Sequence, residues 1–316
     1  MNKLRAGVIG VGYLGNFHAQ KYASLPNINF VGVADSDSKR AAQIAASSGV
    51  AAFSDYRELV AQVDMVSIVV PTEYHFEIAR HCLQAGVHIL LEKPITNTIE
   101  EADELVALAE ADNLVFQAGH LERFNPAVIA LDGVLHNPMF IESHRLSPFN
   151  VRGTDVNVVM DLMIHDIDII LNIVASEPVH ISASGVSVLS NEVDIANARL
   201  QFANGCVANV TASRVSRESL RKIRVFQRDT YISIDYNQRA ISIYRKDGSD
   251  LDDDGIPKIV AQEKKFEQVD TLMCEIRAFV DSVLNGTQVA VSGKEGRRAL
   301  KTVLMISREI NKGVNA

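Results

Sequence analysis

The chain has 316 residues, more than one hydrophobic core usually organises, so we expect two domains. Its 31 Lys and Arg against 39 Asp and Glu give a net charge of -8, which argues against nucleic acid or an anionic membrane as a partner. No segment approaches ~18 uninterrupted apolar residues, and the N-terminus lacks a small-residue cleavage site. Three scattered cysteines match no metal spacing. These features predict a cytoplasmic protein with reduced thiols.

Strands and helices alternate in the first third of the chain. We predict strands over 5–9, 29–34, 65–70, 87–91 and 114–118, and helices over 15–24, 55–62 and 73–85. Another helix begins after Thr98, where Glu101 completes a capping box. Such alternation is typical of a doubly wound parallel sheet, and we place this Rossmann domain at residues 1–121.

A glycine-rich turn joins the first predicted strand to the first predicted helix. It reads Gly10, Val11, Gly12, Tyr13, Leu14 and Gly15, a G-x-G-x-x-G pattern. Asp35 follows 20 residues after Gly15, at the end of the second predicted strand. In this context the glycines let the backbone approach a pyrophosphate, and the helix N-terminus stabilises its charge. The turn therefore predicts a dinucleotide site.

Asp35 also bears on which dinucleotide is bound. Its carboxylate can accept hydrogen bonds from a ribose diol and would repel a 2′-phosphate, so the sequence favours NAD over NADP. Lys39 and Arg40 lie close enough in sequence to pair with a phosphate, which weakens this preference.

Glu92, Lys93 and Pro94 follow the predicted strand at 87–91. Ligands of open α/β sheets bind outside the carboxyl ends of the strands, so Lys93 is expected to face the cofactor crevice. Its ammonium would polarise a substrate oxygen or stabilise an alkoxide. The alternative is a solvated lysine at a strand end.

The segment 157–175 predicts an apolar helix interrupted by Asp161, His165, Asp168 and Asn172. These residues are spaced at i, i+4, i+7 and i+11, which places them in one stripe. Buried carboxylates and imidazoles need partners or a solvated cleft, and a catalytic cleft is the simplest explanation. His165 is the candidate general base, and Asp161 would orient it.

The second part of the chain predicts consecutive strands. They fall at 180–188, 196–202, 206–212, 222–227, 231–234 and 240–244, with a hairpin turn at Asn204 and Gly205. Short turns predict an antiparallel sheet, whose outer face is large and partly apolar, so we expect a homodimer or homotetramer. Two helices close the chain, one over 270–284 and one capped by Ser292 and Glu295. We place this α+β domain at residues 122–316.

Four motifs in this order resemble the Gfo/Idh/MocA oxidoreductases. They are the glycine turn, Pro71 and Thr72 with His75, the triplet Glu92, Lys93 and Pro94, and the pair Asp161 and His165. The resemblance implies an N-terminal Rossmann domain that binds a nicotinamide cofactor, and a C-terminal domain with a large, open, mostly antiparallel sheet.

The resemblance also implies roles for individual residues. Lys93 matches the catalytic lysine, Pro94 the proline that commonly follows a cis peptide, and Asp161 and His165 the rest of the catalytic set. The predicted cofactor-binding residues are Gly10, Gly12, Tyr13, Leu14, Gly15, Asp35, Pro71, Thr72, His75, Glu92 and Lys93.

Within this family, the segments 120–126, 152–168 and 212–214 resemble the branch acting on nucleotide-linked amino sugars, most of all UDP-N-acetylglucosamine 3-dehydrogenases. The resemblance implies oxidation of the sugar 3-hydroxyl to a ketone, which suits later transamination in lipid A precursor synthesis. The predicted substrate-binding residues are Lys93, Arg123, Asn125, Arg152, Asp161, His165 and Arg214. Arg145 and Arg217 would add guanidinium groups suited to a diphosphate, although any one of these arginines is as readily a surface residue.

Several alternatives stay open. A sister activity on UDP-N-acetylglucosaminuronate is one of them, because one arginine would serve its carboxylate equally well. A myo-inositol-type polyol dehydrogenase, a redox-neutral NAD-dependent glycoside hydrolase and a non-catalytic NAD sensor are the other possibilities, the sensor disfavoured by the complete catalytic set. No zinc-type spacing unites His120, His144 and His165, and hydride transfer needs no metal, so we predict none.

Overall fold

The computed structural model describes residues 3–150, 156–251 and 255–314, so Arg152 lies outside the described residues. The strands are β1 (Leu4–Ile9), β2 (Ile28–Ala34), β3 (Ala51–Phe53), β4 (Met65–Ile68), β5 (His88–Glu92), β6 (Phe116–Gly119), β7 (Phe140–Leu146), β8 (Pro178–Val186), β9 (Ile195–Phe202), β10 (Val207–Ser213), β11 (Leu220–Gln227), β12 (Thr230–Asp235), β13 (Ala240–Leu251) and β14 (Pro257–Lys265). The α-helices are α1 (Tyr13–Ser24), α2 (Ser38–Ser48), α3 (Tyr56–Val60), α4 (His75–Gln84), α5 (Ile99–Ala111), α6 (Pro126–Ile129), α7 (Ile164–Val174), α8 (Thr271–Asn285) and α9 (Gly293–Val314). Short 3-10 turns cover Thr72–Tyr74 and Leu121–Phe124, and a π-helical turn covers Val159–Met163.

A parallel sheet with the strand order β3-β2-β1-β4-β5-β6 forms the centre of the first unit. The order reverses between β1 and β4, which is where such sheets bind nucleotides, at the carboxyl ends of the strands. The predicted Rossmann fold is confirmed.

The sequence analysis did not identify α2 and β3. Asp37 caps α2 by accepting hydrogen bonds from the N–H groups of Lys39 and Arg40, and Gly49 ends the helix in a left-handed conformation. The sequence contains both of these capping residues, but the Ala- and Ser-rich helix between them buries only Ala41 and Ala45. It therefore has a weak apolar stripe, which is the pattern on which helix prediction depends.

Both predicted capping boxes are present. The N–H of Glu101 donates to Oγ1 of Thr98 at 3.3 Å, and the N–H of Thr98 donates back to Oε2 of Glu101 at 3.2 Å. At α9 the N–H of Ser292 donates to Oε2 of Glu295 at 2.8 Å, and the N–H of Glu295 donates to Oγ of Ser292 at 3.4 Å. These reciprocal bonds satisfy N–H groups that a helix leaves unpaired at its start.

A mostly antiparallel sheet with the strand order β14-β13-β12-β11-β7-β10-β9-β8 forms the second unit. Its β7 and β10 are parallel neighbours, and the other pairs are antiparallel. The predicted turn at Asn204 and Gly205 joins β9 to β10. The sequence analysis missed β7 and β14. One sheet face is buried, as the alternation of Ala196, Ala198 and Leu200 along β9 shows, and α7 packs against β7 and β10.

The division into units differs from the predicted domains. The first unit comprises Met1–Leu121 with Asp270–Leu300, and the second comprises Glu122–Val269 with Lys301–Ala316. Residues of α8 return to the first unit because Ile276, Phe279 and Val280 are buried in the same apolar cluster as Val8 of β1. Sequence order alone had assigned α8 to the domain that precedes it.

Candidate active site

The three glycines of the turn between β1 and α1 meet different steric demands. Gly10 has a φ of +83°, and a Cβ there would lie 2.5 Å from the carbonyl oxygen of Val69. A Cβ on Gly15 would lie 1.8 Å from the carbonyl oxygen of Gly10, because the first turn of α1 packs directly on the loop. The nearest atom to a Cβ on Gly12 would be 4.0 Å away, on Arg40. This open side leaves room for a phosphate to approach the backbone.

The start of α1 is suited to an anion. Gly12 occupies the N-cap position, so no side chain caps the first N–H groups of the helix. Tyr13 and Leu14 are exposed in this first turn, at 63% and 53% of their surface. Uncapped N–H groups at a helix N-terminus, next to a glycine without a Cβ, fit the pyrophosphate of a dinucleotide.

Asp35 is held at the end of β2 by backbone hydrogen bonds. Its Oδ2 accepts from the N–H of Val11 at 2.9 Å, and its Oδ1 accepts from the N–H of Asp37 at 2.8 Å. Arg40 lies beside it, with Nη1 3.5 Å from Oδ2 of Asp35, and also pairs with Asp37 at 3.2 Å. The carboxylate is therefore anchored against the glycine turn, where the motif places the contact to the ribose.

A cavity of about 540 Å³ opens beside this turn. Its volume is typical of a small-molecule site. Its lining includes Gly10, Gly12, Asp35, Arg40, Tyr56 and Pro71. The two glycines, Asp35 and Pro71 were predicted as site residues. Tyr56 was not predicted, because it belongs to no recognisable motif.

The loop after β5 contains the predicted catalytic lysine. Lys93 and Pro94 are joined by a cis peptide bond, as the family resemblance implied, and Lys93 is half-buried. Lys93 follows β5 at the carboxyl end of that strand, and its direction towards the cofactor crevice stays a prediction.

His75 fixes this loop to the end of β4. Its Nδ1 lies 2.8 Å from the carbonyl oxygen of Pro94, and its Nε2 lies 2.9 Å from that of Val70. Burial lowers the pKa of His75, and the two carbonyl contacts oppose that effect. In this structure His75 contacts the backbone on both sides of its ring, while Thr72 begins the 3-10 turn that leads to it. The predicted cofactor contacts of Thr72 and His75 stay predictions.

Glu92 has an imidazole partner that the sequence analysis did not identify. Nε2 of His18, on α1, lies 3.3 Å from Oε1 of Glu92. His18 lies three residues after Gly15 and is buried. A single histidine on a helix gives no sequence signal for such a pair.

The polar stripe of the segment 157–175 divides into residues with different surroundings. Asp161 lies in the π-helical turn, and it and His165 are half-buried. Asp168 is buried, while Asn172 is exposed. The four residues were expected to face a single cleft. The structure instead places them in different environments.

Arg123 explains the burial of Asp168. Nε and Nη2 of Arg123 donate to the two carboxylate oxygens of Asp168 at 2.6 and 3.0 Å. This fork geometry neutralises both buried charges, and it ties α7 to the 3-10 turn Leu121–Phe124. The side-chain oxygen of Asn125 accepts from the N–H of Ala127 and caps α6. A substrate contact by Arg123 or Asn125 stays a prediction.

Two more of the predicted arginines are engaged inside the second unit. Nε of Arg145 donates to Asp166 at 2.6 Å, and its Nη1 donates to Glu122 at 3.0 Å. Arg214 donates from Nε to Asp194 at 2.8 Å and from Nη1 to the carbonyl oxygen of Val156 at 2.7 Å.

These internal bonds show why the two guanidinium groups are buried, at 3% and 4% exposure, and not on the surface. Arg217 is exposed. The substrate role predicted for Arg214 is untested.

Within the described residues, no group of three or more His, Cys, Asp or Glu side chains is placed to hold a metal ion. None of the helices in the described ranges combines the length and apolar character required to cross a bilayer.

Comparisons with known proteins identify the family. A model described as an oxidoreductase family with an NAD-binding Rossmann fold matches residues 4–120, and a GFO/IDH/MocA C-terminal domain model matches residues 132–232. The UDP-N-acetylglucosamine 3-dehydrogenase of Acidithiobacillus ferrooxidans is 41% identical over 307 residues, which cover 97% of each protein. The chain belongs to the Gfo/Idh/MocA oxidoreductase family.

A solved structure agrees with this assignment. The A. ferrooxidans enzyme superposes with a TM-score of 0.90 and 39% identity over 98% of both chains. The myo-inositol 2-dehydrogenase of Thermotoga maritima is a more distant relative, 25% identical over 94% of this chain and 93% of its own. The predicted family, fold and NAD cofactor are confirmed, and this Gfo/Idh/MocA member is an NAD-dependent oxidoreductase.

Proposed function

We propose that the protein oxidises the 3-hydroxyl of UDP-N-acetylglucosamine, or of a closely related nucleotide sugar, to a ketone. The 41% identity to the A. ferrooxidans UDP-N-acetylglucosamine 3-dehydrogenase, over 97% of both proteins, carries this proposal. The cavity beside Gly12 and Asp35 supports it, because its residues fit the dinucleotide that such an oxidation requires.

The chemistry divides among three side chains. Bound NAD supplies the hydride acceptor. His165 takes the proton of the reacting hydroxyl, since an imidazole titrates near neutral pH, and Asp161 orients it and stabilises its charged form. Lys93 holds the reacting oxygen, and the family resemblance leaves room for it to share the proton transfer.

The pattern of burial supports these roles. Asp166 and Asp168, which follow His165 in α7, each form an ion pair with an arginine. Asp161 and His165 are half-buried, so part of each side chain is accessible to a substrate. We propose that Arg123, Asn125, Arg152 and Arg214 contribute to substrate binding, as the family resemblance implies.

The direct test is NADH formation by the purified protein with NAD and UDP-N-acetylglucosamine. An aminotransferase with glutamate consumes the ketone and draws an unfavourable oxidation forward. Parallel reactions contain UDP-N-acetylglucosaminuronate, free N-acetylglucosamine or myo-inositol. We expect turnover with the nucleotide sugar and a 3-amino product. Turnover only with a free sugar or cyclitol would contradict the proposal.

A polyol dehydrogenase is the second candidate, because the T. maritima myo-inositol 2-dehydrogenase matches over 94% of the chain. It predicts activity on myo-inositol without a nucleotide. Its identity of 25% is much lower than the 41% of the nucleotide-sugar relative, which is why we place it second.

Replacing Lys93 by Met tests its role in catalysis. We expect kcat to fall about a thousandfold, within the range typical of a lost proton-transfer or electrostatic group, while the NAD dissociation constant changes little. Steady-state kinetics measure kcat, and titration with NAD followed by fluorescence measures the dissociation constant. Lys301→Met removes an exposed lysine from α9 and serves as the matched control. Near-normal kcat in Lys93→Met would remove Lys93 from the mechanism.

We also propose a homodimer or homotetramer that covers the open face of the second sheet. Phe226 stacks on Tyr231 at 4.9 Å between ring centroids, and Tyr231 stacks on Tyr244 at 5.5 Å. On β14, Ile259, on the same face as Tyr244, is 64% exposed. Light scattering should give a multiple of the 34.6 kDa chain mass, and a smaller mass for Tyr231→Glu.

For the cellular role, we propose cytoplasmic synthesis of an amino sugar. The ketone product suits a transaminase, and the resulting diamino sugar suits lipid A precursor or lipopolysaccharide synthesis. Accumulation of UDP-N-acetylglucosamine and loss of the 3-amino sugar on deletion of the gene would support this placement.

A further inference from the structure

Glu275 is a buried acid that the proposed reaction does not use. It lies on α8 in the core of the first unit and is 1% exposed. Neither of its carboxylate oxygens has a hydrogen-bond partner among the described residues. An ionised carboxylate is strongly disfavoured in such a place, so the protonated acid is the form that burial selects.

Its surroundings lead to the loop that contains Lys93. Helix α8 packs against α1 and β5, and Nε2 of Gln117, on β6, donates to the backbone carbonyl of Glu275 at 3.1 Å. The acid whose charge acts on Glu275 is Glu92, at the end of β5. The Glu92 carboxylate packs against Gly119, and its Oε1 lies 3.3 Å from Nε2 of His18.

Two other polar atoms in this part of the unit, Oε1 of Gln117 and Nδ1 of His18, have no hydrogen-bond partner among the described residues. Buried polar atoms without a partner are uncommon in folded proteins. These two atoms lie on α1 and β6, which contact α8 through helix packing and through the bond from Gln117 to the backbone of Glu275.

The charges that face the two acids differ. Glu275 faces Glu92, and the buried hydroxyl of Tyr22 on α1 faces Glu275. Glu92 faces His18, Lys93 and His75. Positive partners stabilise an ionised Glu92, whereas Glu275 has a negative neighbour and no positive one in this set.

The direction of the pKa shifts agrees with this difference. Burial, and then the charge of Glu92, raise the pKa of Glu275 well above its usual range. Burial would also raise the pKa of Glu92, but the hydrogen bond and charge of His18, with the charge of Lys93, lower it.

We propose that Glu275 is a positioning residue that stays a neutral carboxylic acid at neutral pH and keeps the Glu92–His18 pair in place beside Lys93. Glu92 then remains the anion next to the lysine, so the loop keeps a fixed charge during turnover. The catalytic part of this inference rests on the role proposed above for Lys93, but the protonation of Glu275 does not.

Infrared difference spectroscopy of the full-length protein tests the protonation state. The spectrum of the wild type minus that of Glu275→Gln should contain the C=O stretch of a protonated carboxyl group at pH 7, shifted in D2O. Asp281→Asn, which makes the same chemical change at an exposed site of α8, should give a carboxylate band instead. A carboxylate band from Glu275 would overturn the proposal.

Unfolding by urea provides a second test without catalysis. A carboxyl group with a raised pKa in the folded state costs stability only as the pH rises above the ordinary value of 4.5. The denaturation midpoint of Glu275→Gln should therefore exceed that of the wild type increasingly between pH 5 and pH 8, taken here as a rough experimental window. A difference independent of pH would contradict a neutral Glu275.

Kinetics test the positioning role. Glu275→Leu removes the carboxyl group beside the Glu92–His18 pair and should lower kcat about tenfold, with an unchanged KM for NAD. Glu275→Gln retains an uncharged donor and should recover most of that loss. Equal kcat for the Leu variant and the wild type would overturn this role. If the wild type turns over none of the sugars, the infrared and urea results still decide the protonation of Glu275, and only the proposed function fails.

Discussion

Asp35 and Asp168 are buried carboxylates, one in each unit, that are stabilised in different ways. In the first unit, Asp35 is held by the N–H groups of Val11 and Asp37. In the second unit, Arg123 donates to both carboxylate oxygens of Asp168. Backbone donors leave the net charge of a carboxylate in place for a ligand to meet, whereas an arginine fork neutralises it. Of these two acids, the one that the backbone holds is therefore the better candidate for a ligand contact.

Breaking an arginine pair should produce the largest effect. Arg123→Met leaves Asp168 buried without its cation, and we expect the free energy of unfolding to fall by about 3–5 kcal/mol. Urea denaturation followed by circular dichroism measures it. Arg57→Met, which breaks an exposed pair with Asp55, should change stability by less than about 1 kcal/mol. If the double variant with Asp168→Leu is no more stable than Arg123→Met alone, the unpaired charge is not the cause.

The glycine turn offers a comparison within the first unit. Gly15→Ala places a Cβ 1.8 Å from the carbonyl oxygen of Gly10, so we expect a loss of about 3 kcal/mol in unfolding free energy. Gly12→Ala has its nearest contact at 4.0 Å and should leave stability nearly unchanged while weakening NAD binding. Thermal unfolding with and without NAD separates the two effects. Equal destabilisation by both variants would contradict the difference in packing.

The Asp194 pair should depend on pH. Burial alone would raise the pKa of Asp194, but hydrogen bonds from Ser190 and Arg214 outweigh it and lower that pKa. The pair therefore stabilises the fold above the ordinary value of 3.8, and this contribution is lost as the pH falls through the lower folded-state value. Asp194→Asn should cost about 2 kcal/mol at pH 7 and progressively less in acid. Urea midpoints across the pH range measure this, and a constant cost would contradict it.

Asp35 should show the smallest effect, on cofactor choice. In Asp35→Ser the guanidinium of Arg40, now 3.5 Å from Oδ2, is released to meet a 2′-phosphate. We expect kcat/KM to fall about tenfold with NAD and to rise with NADP. Adding Arg40→Ala should cancel the gain with NADP. No gain in the single variant would show that Arg40 does not contribute to selectivity.

The sequence predicted best those features that have a local signal. The glycine turn, the capping boxes at Thr98 and Ser292 and the hairpin at Asn204 depend on neighbouring residues, and all are present. The partners of buried charges are distant in sequence: Arg123 and Asp168 are separated by 45 residues, and Arg145 and Asp166 by 21. No local pattern identifies such pairs, so the polar stripe on α7 was interpreted as one cleft.

The missed strands have a similar explanation. All nine positions of β14 are exposed, so it lacks the alternation of buried and exposed residues that identifies a strand. The sequence of β7 does alternate in burial, but its inward positions include Ser143 and Arg145. Their polarity hides the pattern, because the partner of Ser143 and Arg145 is Asp166 on another element.

The return of α8 to the first unit has a consequence for biosynthesis. The two stretches of that unit, Met1–Leu121 and Asp270–Leu300, are separated by residues 122–269, which are 148 residues (269 − 121). At a translation rate of about 5–20 residues per second, the ribosome needs roughly 7 to 30 s to synthesise this insertion. During that interval the nascent NAD-binding unit lacks Ile276, Phe279 and Val280, and so leaves part of its apolar cluster uncovered. The nascent chain is therefore a natural client for chaperones that shield apolar surface until α8 has been synthesised.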